Sequence, residues 1–513
     1  MRNLALFWLC LVACAPDTGP GDGTGARAGS SGQAGAEVAG RASGGSGAIS
    51  GSTLTGGTSP SGGSNGGAGE PFGGARAESG TSGSALGGSG GEGGANLLGG
   101  SAGIVGLGGG GRGGSEGGTA GQSNAGTAGL SGGSSGGTGA GWVGTWTAAA
   151  QLTETANLPP APGLSNNTLR QIFYSSIGGD RLRVHLSNEY GNGPVTLLAA
   201  RLALARTGHG IDRTSERALA FSGNASATIP AGGKLTSDPV DFALPAQTKV
   251  ALTIAFGATP SNVTGHPGSR TNSYIATGNA VSAENLPSPV TTAHWYYATG
   301  IDVAAEAPTA AVITFGDSIT DGRGSTTDGN DRWPDFLSRR LRANAPTARV
   351  AVLNMGMGGN ALFSEGGNGP TGASRFERDV LNPAGARWAI LLHGVNDIGM
   401  AANAGVAAQL IDTYGQLVSA ARAKGIRIYG VPILPFEGSQ YDTPEREMAR
   451  QTVNAWIRAP GNFDAVLELE AAVRDPSRPT RLLPAYDDGD GLHLNPAGYA
   501  KMADAVDLSL FLP

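Results

Sequence analysis

The stretch 311–322 reads AVITFGDSITDG and joins an apolar run to a turn that carries glycine and serine. The run over 311–315 has the length and composition of a buried strand, and Gly316 permits a tight turn from that strand into a helix. Such a turn presents the Ser318 hydroxyl at a helix start, where free N–H groups and the helix dipole favour negative charge. Ser318 is therefore a candidate nucleophile, although a serine in this position is more often only an N-cap.

Four further apolar runs follow along the chain, and each is succeeded by a polar or glycine turn and a helical pattern. The spacing of Trp333, Phe336, Leu337 and Leu341 predicts an amphipathic helix after the first run. Alternating strands and helices predict a parallel sheet covered on both faces, with functional residues at the carboxyl ends of its strands. The later runs are VAVLN (350–354), WAILL (388–392), IRIYGV (426–431) and AVLEL (465–469).

Glycine and asparagine follow the second and third predicted strands. In NMGMGGN (354–360) the glycines allow a backbone N–H to approach a ligand closely, although the segment taken alone is typical of a turn. In HGVND (393–397) the amide of Asn396 has the chemistry to donate to an oxyanion, although Asn-Asp after a strand is equally a helix cap.

A carboxylate and an imidazole stand together near the C-terminus. Asp490 lies three residues before His493, so it can fold back onto one imidazole nitrogen and leave the other for a serine proton. His493 is the only one of the six histidines with an Asp at i−3. His393 lacks such a partner and is interpreted as structural or pocket-lining. The chain has no HExxH motif and no later Glu to complete an EF-hand after 487–490, so no metal is expected.

Serine, glycine, asparagine and an Asp/His pair, in this order and at predicted strand ends, are together more specific than any one of them. In these blocks the sequence resembles the SGNH/GDSL hydrolase family. The resemblance implies a flavodoxin-like three-layer α/β/α domain over 306–513, carboxylic-ester hydrolysis and no cofactor. It further implies a triad of Ser318, Asp490 and His493, and an oxyanion hole formed by the N–H of Ser318, the N–H of Gly359 and the amide of Asn396, with Gly358 as the alternative to Gly359.

The preceding segment, 142–305, has the pattern of an antiparallel β-sandwich. Apolar and polar residues alternate in RLRVHLSN (181–188) and KVALTIAF (249–256), as in half-buried strands. The run TLRQIFYSS (168–176) precedes a glycine-bearing turn at 177–180, and this turn predicts a hairpin with 181–188. An all-β domain before the hydrolase domain is similar to secreted bacterial SGNH proteins grouped with esterases of xylan-degrading systems.

Residues 14–141 form a segment rich in glycine and serine and almost without aromatic residues. Such a composition cannot bury enough surface to offset the entropy of ordering, so a disordered linker is expected. Its root-mean-square span would be on the order of 60 Å. A glycine-rich structural repeat is the alternative, but no fixed period supports it.

The first 13 residues combine a basic start with an apolar run of signal-peptide length. The residues up to Cys14 resemble a bacterial lipobox, which implies cleavage before Cys14 and lipidation of its thiol. The protein is then expected outside the cytoplasm, anchored to the cell envelope, with the membrane contacted through this lipid only. The alternative is an ordinary secretory signal. Cys10, the only other cysteine, would leave with the signal, so no disulfide is expected.

Charge and site chemistry limit the partners. A formal net charge of −6 without a dense basic run argues against nucleic acid. The expected substrate is an acylated carbohydrate or small ester, with acetyl as the acyl group. A lipase or acyltransferase acting on longer chains and a non-catalytic surface carbohydrate-binding protein are the alternatives, and the sequence does not specify an oligomeric state. Polar residues near the predicted strand ends favour the carbohydrate: Asp321, Arg323, Asn360, Glu365, Asn368 and Asp488.

Overall fold

The computed structural model describes residues 141–401 and 405–512. The predicted signal peptide over 1–13, the predicted lipidation site Cys14 and the predicted linker up to residue 140 lie outside the described residues. Among the helices of the described part, none combines the length and the apolar character needed to cross a membrane.

Residues 141–305, here named the β-region, contain fifteen strands in three antiparallel sheets. The strands are β1 Gly141–Thr147, β2 Gln151–Leu152, β3 Asn167–Tyr174, β4 Gly179–Ser187, β5 Val195–Leu204, β6 Arg217–Ala218, β7 Ala227–Ile229, β8 Lys234–Thr236, β9 Val240–Leu244, β10 Lys249–Phe256, β11 Thr264–His266, β12 Ser273–Thr277, β13 Val290–Thr292, β14 Trp295–Tyr296 and β15 Ala298–Ala305. The sheets have the orders β1-β15-β4-β8 with β9 also on β4, β13-β12-β3-β10-β5-β6 with β7 also on β5, and β14-β11-β2. The all-β antiparallel architecture predicted for this segment is confirmed.

The predicted hairpin between β3 and β4 is wrong. Strand β3 pairs with β10 and β12, whereas β4 pairs with β15, β8 and β9, so the turn between them carries the chain from one sheet to another. Gly178 in this turn packs closely against the backbone of the segment 244–246, where a side chain would not fit. Alternation along a strand indicates which face is buried but not which strand is its neighbour. A short glycine turn can join two paired strands or lead from one sheet to another, so it does not predict a hairpin by itself.

Residues 306–512, here named the α/β-region, carry a five-stranded parallel sheet flanked by helices. The elements are β16 Ala310–Gly316, α1 Ser318–Asp321, α2 Trp333–Ala343, β17 Val350–Gly356, α3 Gly372–Phe376, β18 Ala386–Leu392, α4 Val395–Met400, α5 Val406–Ala423, β19 Arg427–Gly430, α6 Pro444–Arg458, β20 Ala465–Val466, α7 Leu469–Val473, the small hairpin β21 Arg474–Asp475 and β22 Arg478–Leu482, and α8 Pro496–Asp504. The strand order is β17-β16-β18-β19-β20, which is the 2-1-3-4-5 order of flavodoxin-like folds. The predicted three-layer α/β/α fold is confirmed.

The apolar patterns explain most of these elements. Trp333, Leu337 and Leu341 of α2 are buried, as their spacing predicts. The first four runs become strands that bury nearly all their side chains, as expected for a sheet covered on both faces. The fifth run gives only the two-residue strand β20, because the chain turns into α7 from Leu469 onward.

The parallel register aligns the strand ends. Gly316 at the end of β16 pairs with Gly356 of β17 on one side and with Leu392 of β18 on the other. The segments that follow these three strands therefore leave the sheet at the same edge. At this edge α1 lies directly against β17, because a Cβ on Gly356 would overlap the backbone nitrogen of Asp321.

The β-region covers one of the two edges of the parallel sheet, strand β17. Ser176 accepts a hydrogen bond from the Val352 N–H at 2.7 Å, and the Thr147 hydroxyl donates to the Asn354 carbonyl at 3.2 Å. These bonds satisfy edge groups that would otherwise be left to solvent or to another chain. Apolar side chains from both regions form one continuous buried core.

We predict that Gly356→Ala destabilises the protein by about 1–3 kcal/mol, because the new Cβ must push α1 away from β17. The matched control is Gly415→Ala in α5, where a Cβ meets no atom within 4 Å and should be neutral or stabilise by up to about 1 kcal/mol. Urea unfolding followed by tryptophan fluorescence measures both. Equal effects of the two substitutions would contradict the close approach of α1 to β17.

Candidate active site

Three residues that are far apart in the sequence form a hydrogen-bonded chain at the carboxyl edge of the sheet. The Ser318 hydroxyl lies 2.7 Å from Nε2 of His493, and Nδ1 of His493 lies 2.7 Å from Oδ2 of Asp490. Ser318 and His493 are both buried. The structure thus brings together the three residues predicted as a triad, with each imidazole nitrogen facing the partner that the sequence assigned to it.

The turn 487–494 makes the Asp490 to His493 contact local. Oδ1 of Asp490 accepts hydrogen bonds from the N–H groups of Leu492 and His493 at 3.0 and 2.8 Å, which folds the carboxylate back under the imidazole. Gly489 and Gly491 both have positive φ, at 102° and 71°, so the turn depends on glycine at these positions. The i−3 spacing read from the sequence is therefore the spacing of a compact carboxylate-centred turn.

The electrostatics of Asp490 suit a carboxylate that must stay ionised beside an imidazole. Burial alone would raise its pKa, but the hydrogen bonds and positive charge from His493 and the two backbone N–H groups hold the pKa well below its usual range. Its side chain is 41% exposed, and Arg323 lies 3.8 Å away. Asp490 therefore orients His493 as an anion at the rim of the site.

Asn396, the predicted side-chain donor, is held in one orientation. Its Nδ2 donates to the Asn360 carbonyl at 2.9 Å, and its Oδ1 accepts from the Tyr441 hydroxyl at 3.0 Å. These two bonds fix which end of the amide is the nitrogen, and they leave the second N–H of Nδ2 for another acceptor. Tyr441 was not predicted from the sequence, because nothing in its neighbourhood marks it as a partner of Asn396.

The glycine loop after β17 supplies backbone donors. Within the described residues, the N–H groups of Ser318, Gly358 and Gly359 have no acceptor in the protein. Gly359 has φ of 68°, and a Cβ there would collide with the exposed side chain of Asn368. Both glycines therefore remain candidates for the donor that the sequence placed at Gly359.

A buried arginine that the sequence reasoning missed holds the loop ends together. Arg375 donates from NH2 to the Gly316 carbonyl, from NH1 to the Met355 carbonyl and Asp379, and from Nε to Oδ1 of Asn360, all at 2.8–2.9 Å. It is 1% exposed and lies over the Phe315 ring. The only sequence signal was the i, i+4 spacing of Arg375 and Asp379, which is common on exposed helices.

His393 lies beneath the same loop as a neutral side chain. Burial lowers its pKa well below the usual value. Nδ1 accepts from the Gly394 N–H at 3.0 Å, so Nε2 carries the proton and faces Oδ1 of Asn360 at 3.1 Å. The bonds of its ring go to Gly394 and Asn360 and not to the Ser318 to Asp490 chain, which agrees with its interpretation as structural.

Two buried carboxylates flank the strand ends. Asp397 accepts three backbone N–H bonds from 362–364 at 2.7–3.0 Å and so orders that loop. Asp317 caps α1 by accepting from the Ile319 N–H at 3.1 Å. Burial, helped by the charge of Asp397, raises the pKa of Asp317 to about 7.

The polar residues expected around the site divide into two groups. Asp321 and Asn360 are each 1% exposed and serve internal contacts, so they do not contribute to a polar surface. The other four are exposed or half-buried: Arg323, Glu365, Asn368 and Asp488. Within the part of the chain that the structure describes, no cluster of three or more His, Cys, Asp or Glu side chains is placed to hold a metal ion.

A parallel α/β/α sheet with a Ser-His-Asp chain at its carboxyl edge defines the class of serine-type α/β hydrolases. Residues 314–501 match the family model described as the GDSL-like Lipase/Acylhydrolase family. The chain carries a domain of this family and is an SGNH-type carboxylic-ester hydrolase.

Solved structures similar to this chain cover 38–40% of it at low identity. They include a GDSL-like lipase from Bacteroides thetaiotaomicron, with 21% identity, 38% of this chain and 84% of that chain covered, and a TM-score of 0.28. An acetylxylan esterase from Geobacillus stearothermophilus has 22% identity, 38% and 91% coverage and a TM-score of 0.30. An alpha/beta hydrolase enzyme from the metagenome of Lake Arreo has 19% identity, 40% and 96% coverage and a TM-score of 0.30. No curated protein matches the chain.

We predict that Asp317→Asn changes the pH dependence of stability. With a pKa of about 7 when folded and the usual 3.8 when unfolded, the folded protein holds a proton that the unfolded chain releases, so wild-type stability falls between pH 4 and 7. Asparagine at position 317 can still accept the bond from the Ile319 N–H, but it cannot ionise. We therefore expect the free energy of unfolding of the variant, measured in urea, to rise relative to that of wild type by on the order of a few kcal/mol between pH 5 and pH 8. A difference between the two proteins that does not change with pH would contradict the buried ionisation.

Proposed function

We propose that Ser318 is the nucleophile of an ester hydrolase that works through an acyl-enzyme. The observation that carries this proposal is the pair of 2.7 Å contacts that link Ser318 to His493 and His493 to Asp490. Nε2 of His493 takes the proton of the Ser318 hydroxyl as Oγ bonds to the acyl carbon. The ester oxygen then leaves with that proton as an alcohol, and the acyl group stays on Oγ.

The second half of the reaction uses the same imidazole. His493 takes a proton from water, the resulting oxygen bonds to the acyl carbon, and the bond to Oγ breaks as Ser318 regains the proton. Asp490 holds the ring in the tautomer that this requires and stabilises the imidazolium, without taking its proton. The products of this half-reaction are a carboxylic acid and the free enzyme, and neither half of the reaction requires a cofactor.

The oxyanion of each tetrahedral intermediate needs preorganised donors. We assign this role to the N–H of Ser318, the N–H of Gly359 and the amide of Asn396, with Gly358 as the alternative backbone donor. Support comes from the unpartnered backbone N–H groups and from the fixed orientation of the Asn396 amide. Donors fixed before the reaction cost no reorganisation when the charge develops.

For the substrate, we propose short acyl groups, acetyl above all, on an extracellular carbohydrate. The rim of the site supports this choice. Arg323 and Asp490 lie at one side with the exposed Asp488, and Asn368 lies over the glycine loop at the other, donating to the Gly358 carbonyl at 3.2 Å. A hydroxyl-rich polymer can exchange hydrogen bonds with such a rim, whereas a long acyl chain needs an apolar entry surface.

The proposed location follows from the N-terminal sequence. Lipidation at Cys14 would anchor the protein to the cell envelope. An exported, anchored enzyme suits a polymer that is too large to import before its side groups are removed.

We predict that the purified protein hydrolyses acetyl esters with kcat/KM about tenfold or more above that for eight-carbon acyl esters, and releases acetate from acetylated xylan or pectin. Release is followed by titration of the acid, with Ser318→Ala as the matched control that should have no activity on any substrate. Higher kcat/KM on eight-carbon esters with no acetate released from the polymers would replace the carbohydrate proposal by a lipase. Turnover by the Ser318→Ala variant would contradict the proposed mechanism, in which Ser318 is the nucleophile.

A further inference from the structure

A buried histidine of the β-region contacts the helix that carries Ser318. His266, at the end of β11, places Nε2 2.8 Å from Oδ1 of Asp321, the last residue of α1. Its Nδ1 lies 2.9 Å from the Ala149 carbonyl, and its ring stacks on Trp295. His266 and Asp321 are 4% and 1% exposed, so this contact is made away from water.

The hydrogen-bond geometry requires a shared proton. A carbonyl oxygen can only accept, so Nδ1 of His266 must donate to Ala149. The contact with Asp321 is then made either by a doubly protonated ring facing a carboxylate or by a neutral ring facing a protonated carboxyl. In both cases the pair is neutral overall and joined by one hydrogen bond. In the first case the two groups are charged, and such a bond is stronger than one between neutral groups.

Helix α1 has little means of its own to hold its position. It spans only Ser318–Asp321, one turn, and a single turn is not stable without contacts to its surroundings. Three tethers fix it: the cap by Asp317, a bond from Nδ2 of Asn354 to the Thr320 carbonyl at 2.9 Å, and the bond from His266 to its last residue. The last of these comes from outside the α/β-region.

Asp321 depends on His266 to an unusual degree. Within the described residues, its Oδ2 has no hydrogen-bond partner, and His266 is the side chain that hydrogen-bonds to this buried carboxyl. The carboxyl sits close against Gly268 of the β-region, and Oδ2 lies 3.3 Å from the position that a Cβ on Gly358 would take. The pair therefore touches both the serine turn and the glycine loop.

We propose that His266 is a positioning residue for Ser318, acting through Asp321 to hold the single turn α1 in the orientation that aligns the serine hydroxyl with His493. The inference rests on the proposed role of Ser318 as the nucleophile. It means that the catalytic apparatus extends beyond residues 314–501, the part matched by the family model, and that the β-region contributes to the chemical step. Small displacements of a reacting group lower the rate without changing the groups that bind substrate.

The experiment breaks the pair from either side in the full chain. His266→Phe keeps the ring on Trp295 but removes the donor, and Asp321→Leu replaces the carboxyl by an apolar group of similar shape. Asp321→Asn is the conservative variant, because its amide can donate to a neutral His266 and so preserve the tether. The matched control is His185→Phe, since His185 makes a similar 2.8 Å contact with Asp302 in the β-region but does not touch α1.

Steady-state kinetics on an acetyl ester are measured below the unfolding temperature of each variant. We expect kcat to fall about 10-fold to 100-fold in His266→Phe and Asp321→Leu with KM unchanged, and by no more than about threefold in Asp321→Asn. The His185→Phe control should keep the wild-type kcat. If His266→Phe does not fold because a carboxylate is left unpaired, the comparison of Asp321→Leu with Asp321→Asn decides the question.

Two results would overturn the proposal. One is a folded Asp321→Leu variant with wild-type kcat, and the other is an Asp321→Asn variant impaired as strongly as Asp321→Leu. Ser318→Ala in the same assay separates this failure from that of the proposed function. If Ser318→Ala is inactive while the His266 to Asp321 pair is dispensable, only the positioning role of His266 is wrong. If Ser318→Ala is active, both this role and the role of Ser318 as the nucleophile are wrong.

Discussion

The arrangement of the site depends on the hydrogen bonds that the buried guanidinium of Arg375 donates. It lies under the carboxyl edge of the sheet and donates to the carbonyls of Gly316, the last residue of β16, and Met355, the last but one of the adjacent β17. Burial lowers its pKa, and Asp379 offsets part of that effect by supplying the opposite charge. Removing one partner of such a buried pair is costly, because an uncompensated charge remains in the interior.

The position of Arg375 explains how loops from separate strands form one site. Its Nε donates to Oδ1 of Asn360, while the carbonyl of the same Asn360 accepts from the Asn396 amide. A chain of contacts therefore runs from the strand below Ser318, through the glycine loop, to the asparagine after β18. The rigid sheet sets the strand ends in line, and these buried polar bonds set the loops relative to one another.

The sequence predicted those parts of the site whose chemistry is local. The contact of Asp490 with His493 follows from a three-residue spacing and two glycines, and the serine turn follows from a strand, a glycine and a helix start. The tether from His266 to Asp321, the bond from Tyr441 to Asn396 and the role of Arg375 are contacts between distant segments. The type and spacing of the neighbouring residues do not encode such contacts.

The same distinction applies to the fold. Near-continuous apolar runs predicted the parallel strands, and alternation predicted the buried face of β4. The half-buried strand expected over 249–256 is wrong, because β10 is buried on both faces. Pairing was less accessible, since β3 and β4 are adjacent in the chain yet belong to different sheets. The β-region covers β17 partly through hydrogen bonds of side chains, such as the bond from the Val352 N–H to Ser176. No local sequence pattern predicts these bonds.

The proposed mechanism requires the Ser318 hydroxyl, activated by His493, to form a covalent intermediate. Treating the protein with a fluorophosphonate and mapping the adduct by peptide mass spectrometry measures whether this hydroxyl is reactive. We expect a single adduct on the peptide that carries Ser318, formed much more slowly in His493→Ala and absent from Ser318→Ala. An adduct on another serine, or equal labelling of Ser318→Ala, would contradict it.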